Sequence, residues 1–395
     1  MNTASLNRRA FLHRTVALAA GAPLALGLSA RKLSAVDLST PSQPSPARRG
    51  EAKVAMVSCR AYGPEVREAM AKSFDLLGGI GSLVKNKTVT VKVNLTGTDF
   101  SPFMDRPVGE TFMTHYATAL ALASLLFEAG AKRIRFVEST TSRSDLSGSL
   151  AMADWDLKAL SVYGPVEFEN TRNLGKGKNY TKLSVPSGGY MFSAFDLNHS
   201  YADTDVLVSL AKLKMHITAG VTLSMKNLFG ITPNSLYGSE AGTEDALDGR
   251  GVLHSPVGLE KIKLPGLKAG ITSVDATWRV PRIVADICSA RPIHLSIIDG
   301  ITAMSGGEGP WCREAAPIKF TSPGVLIVGL NPVSTDAVGT AVMGFENPRA
   351  LRGTKPFQMC DNHLLLAEQA GVGTADLAQI DLRGLTIEKA RYPYT

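Results

Sequence analysis

Short, almost wholly apolar runs recur along the chain, separated by helical or polar segments. The run at residues 206–210 (Val-Leu-Val-Ser-Leu) is the clearest; residues 89–93 form a β-branched run, and residues 293–298 are a further predicted strand. A strand that is apolar on both faces is typical of parallel sheets that helices cover on either side. Strands that alternate with helices indicate the same class. We therefore predict an α/β fold with a mostly parallel sheet and helices on both faces, in one or two lobes.

Helical patterns follow several of these runs. They predict helices over residues 111–129 and 219–229, which end at Gly130 and Gly230. Glycine is common at such ends because it readily takes the left-handed conformation that closes a helix.

Polar side chains follow five of the predicted strands, at the points where the strands end. They are Asn94, Glu138, the group Lys212, Lys214 and His216, Asp299 and Asn331. In an open α/β sheet, ligands bind beyond the carboxyl ends of the strands. One polar residue at a strand end is ordinary, but five together predict a shared crevice.

The segment at residues 210–230 carries the densest chemistry. In an extended strand, Lys212, Lys214 and His216 lie on one face, because side chains alternate between faces. Three cationic groups on one face repel each other, so a bound carboxylate or phosphate, or acidic side chains of the protein, would stabilise them. A basic rim solvated by water is the alternative.

Lys226 is predicted to lie one to two turns inside a helix that begins near Gly220. The helix N-terminus would add N–H groups and a partial positive charge to the crevice. The Lys226 side chain would point back toward His216. Because neighbouring cations lower the pKa of a lysine, Lys226 suits covalent or general-base chemistry. We predict that Lys226 and His216 are catalytic, and that the substrate-binding residues are Lys212, Lys214, Asn227 and Asn94.

The body of the chain resembles the bacterial and archaeal family known as domain of unknown function 362. The resemblance spans most of residues 52–345 and is carried by VKVNL (91–95), EAGAKRIRFVES (128–139), LAKLKMHITAGVTLSMKNLFGITP (210–233), IIDGITAMSGGEGP (297–310) and VGLNPVSTDAVG (328–339). Many relatives carry ferredoxin-like cysteine clusters. The four cysteines of this chain, Cys59, Cys288, Cys312 and Cys360, are far apart. They form no iron–sulfur cluster motif, and their disulfide state is left open.

A second resemblance is to the nickel-pincer lactate racemases, whose H-x-x-A-G…K…G stretch is similar to residues 216–230. In those enzymes the lysine tethers the nickel cofactor and a later histidine binds the metal. The resemblance implies that Lys226 is the tethering lysine, that His216 is an active-site histidine and that His254 is a metal ligand. The chain departs from the racemase pattern at residues 222–225, where the racemases are rich in glycine.

The cofactor is predicted only as a class. Asp299, which follows a buried strand, is a second predicted metal ligand besides His254, although a strand-end aspartate is equally well explained as a structural residue. A metal ion or a metal-containing organic cofactor is consistent with these residues, but their spacing is not diagnostic of a metal.

The N-terminal fifty residues differ from the rest. Arg8 and Arg9 precede Phe11-Leu12 and an apolar stretch over residues 15–30, an order that resembles a twin-arginine export signal. That stretch is shorter than the ~18 residues of a membrane-spanning helix. We predict a twin-arginine signal peptide over 1–35, a Ser/Pro linker over 36–50 and an α/β domain over 51–395. The implied location is periplasmic or extracellular, with the twin-arginine machinery as a partner and no stable membrane span.

Most of the net positive charge of the chain lies in residues 1–50. Lys and Arg number 42 against 35 Asp and Glu, which gives a formal net charge of +7. Residues 1–50 hold seven of the basic residues and one of the acidic ones, so the body is nearly neutral. A neutral body has no general attraction to a polyanion, which argues against nucleic acid as a partner.

Two functions remain open. The first is an exported enzyme that acts on a small anionic substrate at a crevice lined by Lys and His, as an isomerase, racemase or oxidoreductase. The second is a non-catalytic periplasmic protein that binds an anion or a metal complex. A purely structural module is disfavoured, because it gives no reason for three lysines and a histidine within residues 212–226.

Overall fold

A computed structural model describes residues 52–97, 99–186, 188–254, 263–271, 275–314 and 317–394. The predicted signal peptide and linker lie outside the described residues. Within the described ranges, no helix combines the length and apolar character that a bilayer-spanning helix needs.

The described residues form fourteen strands. They are β1 Lys53–Ser58, β2 Thr88–Lys92, β3 Arg133–Glu138, β4 Val166–Asn170, β5 Thr181–Ser184, β6 Ala194–Leu197, β7 Val206–Lys212, β8 Met215–His216, β9 Gly220–Val221, β10 Leu295–Gly300, β11 Ala303–Ser305, β12 Lys319–Thr321, β13 Val325–Gly329 and β14 Asp381–Gly384. Eight of them form the main sheet, in the order β14-β1-β13-β10-β7-β2-β3-β4, and the others form two-stranded ribbons.

The main sheet is mostly parallel, as predicted. Every neighbouring pair is parallel except β1–β13 and β10–β13, so β13 alone runs against the other seven strands. The carboxyl end of β13 therefore lies at the opposite edge of the sheet. The expectation that Asn331 joins a shared crevice is wrong for this reason. Its side chain instead accepts a hydrogen bond from the Ser334 amide at 3.1 Å and caps the next helix.

The described residues also form fourteen α-helices. They are α1 Pro64–Leu77, α2 Gly81–Val84, α3 Val108–Thr111, α4 Tyr116–Glu128, α5 Leu146–Met152, α6 Leu157–Ser161, α7 His199–Ala202, α8 Leu223–Asn227, α9 Asn234–Tyr237, α10 Gly251–His254, α11 Ala276–Ala290, α12 Pro332–Val342, α13 His363–Gln369 and α14 Ile387–Ala390. Short 3₁₀ turns cover Leu228–Ile231, Pro310–Glu314 and Leu377–Gln379.

Each face of the sheet buries its own core. Along β13, Leu326 and Val328 pack in the core that α1 and α4 cover, whereas Val325 and Ile327 pack in the core that α11 and α12 cover. This alternation follows from the two-residue period of a strand. Strands buried on both faces explain the nearly continuous apolar runs, and the prediction of helices on both faces is confirmed.

The helices predicted over residues 111–129 and 219–229 are both shorter than expected. The first begins only at Tyr116, because the His115 side chain accepts a hydrogen bond from the Ala117 amide at 3.0 Å and caps it. The second is only α8, because β8 and β9 pair as a short antiparallel ribbon in front of it. Gly220 makes the turn possible, with a φ of 77° that a residue with a Cβ rarely adopts.

Candidate active site

A cavity of about 250 Å³ lies where parallel strands of the main sheet end. Strands β10, β7, β2 and β3 are successive neighbours and run in the same direction, so residues that follow them meet at one edge. The ionisable residues that line the cavity are Lys92, Glu138, Lys214, His216, Lys226, Arg250, His254 and Glu308. The crevice predicted from the strand ends therefore exists, although some of the residues that line it differ from those predicted.

Lys226 lies in the wall of this cavity. Its side chain is only 7% exposed, and its Nζ lies 4.1 Å from the centre of the Phe229 ring. Among the described residues its amine makes no hydrogen bond and no ion pair. Burial lowers the pKa of Lys226 to about 7; the carboxylate of Glu308 opposes this shift, while the charges of Arg250 and Lys92 add to it. A large fraction of the amine is therefore neutral at neutral pH.

His216 and His254 stand parallel beside Lys226, with ring centroids 6.5 Å apart. Burial, and then the charge of Lys226, hold both pKa values well below the usual range, so both rings are neutral. The Nδ1 of His216 accepts from the Thr218 amide at 3.2 Å, which places its proton on Nε2. The Nδ1 of His254 donates to the Arg250 carbonyl at 2.9 Å, which leaves a lone pair on Nε2. These tautomers follow from the hydrogen-bond network.

Lys214 borders the same cavity and is fixed by backbone oxygens. Its Nζ donates to the Phe112 carbonyl at 2.6 Å and to the Glu308 carbonyl at 3.0 Å. Burial lowers the pKa of Lys214 to about 7. The Glu308 carboxylate accepts from the Ile217 amide at 3.0 Å and from the indole N–H of Trp311 at 3.3 Å. The segment around Glu308 therefore closes one side of the cavity.

Lys92 and Glu138 form a buried ion pair in the cavity wall; the sequence predicted Glu138 at the crevice but not Lys92. Their charged atoms are 2.7 Å apart, and both side chains are buried. Lys92 also donates to the Val93 carbonyl at 2.7 Å, and Glu138 accepts from the Leu95 and Ser139 amides at 2.8 Å each. The two charges compensate each other within the wall. A lysine at the end of the β-branched strand β2, between Val91 and Val93, was the available signal.

Asn227 and Asn94 reach the cavity but are held by the protein. The Asn227 Oδ1 accepts from Lys92 at 3.2 Å and from Asn94 at 3.1 Å. Its Nδ2 donates to the Lys92 carbonyl at 3.2 Å and to the Ser209 hydroxyl at 3.0 Å. Both polar atoms of the Asn227 amide therefore bind groups of the protein. We infer that Asn227 positions Lys92 and Asn94. Their predicted substrate contacts stay predictions.

Lys212 and Asp299 do not line the cavity. They form an ion pair at 3.2 Å with both side chains fully buried. Lys212 also donates to the Gly109 carbonyl and to the Tyr62 hydroxyl, each at 2.8 Å, and Asp299 accepts from Thr118 at 3.2 Å. The sequence left open whether a bound anion or an acidic side chain of the protein would compensate the charge of Lys212. In the structure the carboxylate of Asp299 does so.

The two predicted metal ligands are not brought together, since His254 lies in the cavity wall and Asp299 lies in the ion pair with Lys212. The described part of the chain holds no group of three or more His, Cys, Asp or Glu side chains arranged to bind a metal ion. The residues present thus do not form a protein-only metal site, and a metal or metal-containing cofactor stays a prediction. The four cysteines are buried and free.

Arg250 is another cavity residue that the sequence analysis did not identify. Its Nε donates to the Thr232 carbonyl at 2.6 Å and to the Thr232 hydroxyl at 2.8 Å, and its Nη2 donates to the Gly230 carbonyl at 2.8 Å. It precedes α10, in a polar, glycine-rich stretch whose pattern predicts no element. No sequence signal marked it.

Comparison with known proteins places the chain in a family. The model of the family "Domain of unknown function (DUF362)" matches residues 89–341, which include every residue that lines the cavity. A thylakoid-associated protein of Synechocystis sp. strain PCC 6803 is 30% identical over 269 residues, which cover 66% of each chain. The match thus spans slightly less than two thirds of that relative's length. No solved structure matches the chain. With more than half of its length matched by the family model, the chain belongs to the DUF362 family.

Proposed function

We propose that this protein is an exported enzyme that acts on a small anionic substrate, with Lys226 as its reacting amine. The observation that carries the proposal is the position of Lys226, a buried lysine in a cavity wall whose amine has no polar partner among the described residues. Lys92 and Lys212, also buried, are both ion-paired. Burying an amine without a polar partner costs folding free energy, so a chemical role explains this lysine better than a contribution to stability does.

The groups beside Lys226 favour proton transfer as the reaction. A neutral amine accepts a proton or attacks a carbonyl carbon, and the Nε2–H of His216 and the lone pair of His254 supply a donor and an acceptor nearby. A base and an acid held in one cavity suit isomerisation or racemisation by proton transfer. The cavity, at about 250 Å³, is smaller than the roughly 300–1,000 Å³ of pockets for drug-sized ligands, which supports a small substrate.

Trace acylation of the native protein tests this role. The protein is treated at pH 7.5 with a limiting amount of acetic anhydride, and the modified fraction of each lysine is measured by mass spectrometry. We expect Lys226 to react at least ~10-fold faster than the exposed Lys389, since an ordinary lysine with a pKa near 10.4 is almost wholly protonated at this pH. The buried, ion-paired Lys92 is the control for access and should stay unmodified.

Two outcomes would count against catalysis. A Lys226 that reacts no faster than Lys389 would contradict the proposal. A small carboxylate that binds the protein while Lys226 stays as unreactive as Lys92 would favour the non-catalytic binding protein instead.

Export by the twin-arginine route is part of the proposal, and the order of Arg8, Arg9 and the apolar stretch supports it. Replacing both residues (Arg8→Lys with Arg9→Lys) should leave the precursor in the cytoplasm. The linker offers a matched control in its own arginine pair, since Arg48→Lys with Arg49→Lys should be exported normally. Cell fractionation and intact mass measure the outcome, and equal export of both double variants would refute the assignment.

A further inference from the structure

One edge of the Arg250 guanidinium is left open by the protein. Its Nε and one hydrogen of its Nη2 are used by the oxygens of Thr232 and Gly230, all of them uncharged acceptors. Among the described residues its Nη1 has no hydrogen-bond partner, and no carboxylate forms an ion pair with it. Arg250 therefore presents its terminal edge, Nη1 and the second hydrogen of Nη2, without a partner.

Arg250 differs from the lysines of the cavity, because at neutral pH it keeps its positive charge and has no ion-pair partner among the described residues. Lys92 and Glu138 compensate each other at 2.7 Å. The pKa values of Lys214 and Lys226 lie at about 7, so both amines lose much of their charge at neutral pH. Burial lowers the pKa of Arg250 to about 10, which still leaves its guanidinium protonated at neutral pH. An anion that enters the cavity therefore meets a lasting positive charge at Arg250, while Glu138 and Glu308 supply the negative charges of the cavity wall.

We propose that Arg250 is the specificity residue of this site and binds the carboxylate of a small carboxylic acid through its terminal Nη1 and Nη2 atoms. This inference rests on the proposed function and narrows its substrate class from anions in general to carboxylates. Arg250 fixes the acid end of the substrate, and Lys226 is left free to act elsewhere on it.

The open edge fits a carboxylate better than a phosphate. A guanidinium edge and a planar carboxylate form two parallel hydrogen bonds. A phosphate has more oxygens to satisfy and a larger charge, and several donors beside the cavity are already engaged within the protein. Lys92 already makes contacts with Glu138, Val93 and Asn227, and the backbone amides that begin α8 are bound by the Asp336 carboxylate.

Titration calorimetry at pH 7.5 with three probes tests the inference on the full mature chain. Propionate carries the carboxylate, propionamide has the same shape without the charge, and inorganic phosphate is the rival anion. The variants are Arg250→Lys, which keeps the charge and loses the planar fork, and Arg250→Gln, which loses both. Arg391→Gln, at an exposed arginine paired with Glu346, is the matched control.

We expect propionate to bind at least ~10-fold more tightly than propionamide or phosphate, and both Arg250 variants to raise the Kd for propionate at least ~10-fold. Arg391→Gln should bind propionate like the unmodified chain. The comparison of the three probes needs no variant, so it stays decisive even if Arg250→Gln folds poorly. Phosphate binding as tight as propionate binding, or unchanged propionate affinity in Arg250→Lys, would overturn the inference.

The two proposals fail differently. If Lys226 proves unreactive while propionate still binds in an Arg250-dependent way, the proposed chemistry is wrong and the carboxylate site stands. If Lys226 is reactive while propionate binds no better than propionamide, the carboxylate site is wrong and the reactive amine stands.

Discussion

The protonation state of Lys226 is decided by side chains from several elements around it. Burial favours the neutral amine, and the positive charges of Arg250 and of Lys92 in β2 act in the same direction. Glu308 is the opposing charge. The surrounding histidines His216, His254 and His363 are neutral at physiological pH, because burial holds their pKa values low, so they add no charge of their own. The balance leaves a free amine within reach of a ligand in the cavity.

At the level of single residues, the sequence predicted the site residues that lie close together in the chain, within residues 212–230. Lys214, His216 and Lys226 are close in the chain, and their spacing already suggested a common site. The sequence placed Lys212 and Asp299 at the same crevice but did not pair them, because Asp299 is 87 positions away and the order of the strands in the sheet is known only from the fold. Arg250 was missed for a related reason, since it enters the cavity from an irregular segment.

Helix α8, which carries Lys226, is held at its start by Asp336 of α12. The buried carboxylate accepts from the Ser224 amide at 2.9 Å, from the Met225 amide at 2.8 Å and from the Ser224 hydroxyl. Leu223, just before them, has a φ of 46°, a left-handed conformation that costs a non-glycine residue roughly 1–2 kcal/mol. The helix terminus expected to attract a ligand is thus already occupied by a side chain of the protein.

Asp336→Asn should loosen this attachment. The amide would turn an N–H₂ group toward a backbone N–H, and a buried donor without an acceptor costs about 1–3 kcal/mol. Burial raises the pKa of Asp336 to about 7, so the stability that its carboxyl contributes is present below its unfolded pKa of about 3.9 and is lost as the pH rises through about 7. The variant's deficit in unfolding free energy should therefore be larger at pH 5 than at pH 8.

Urea unfolding at the two pH values measures this deficit. Asp75→Asn, at an exposed aspartate on α1, is the control and should stay within about 0.5 kcal/mol of the unmodified chain. A deficit that is absent at pH 5, or that grows toward pH 8, would show that Asp336 does not hold α8 in the way described.

At the scale of the whole molecule, the periodic strand pattern was enough to predict the class of fold. Apolar runs alternating with helices indicate a mostly parallel sheet covered on both faces, which is the arrangement of the main sheet. The pattern could not show that β13 runs in the opposite direction, because a strand looks the same in either direction. It also could not show that β1 pairs with β14, since that contact joins the two ends of the described chain.

The central claim is that Lys226 is a neutral amine in the cavity at physiological pH, and its ionisation can be followed directly. Protein labelled with ¹³C at the lysine Cε positions is titrated by NMR from pH 5.5 to 10.5, and the Lys226 signal is assigned by its loss in Lys226→Met. A midpoint near pH 7 is expected, against about 10.4 for an ordinary lysine. A midpoint above about 9.5, close to that ordinary value, would contradict the claim, because the amine would then be protonated at neutral pH and unable to act as a base or a nucleophile.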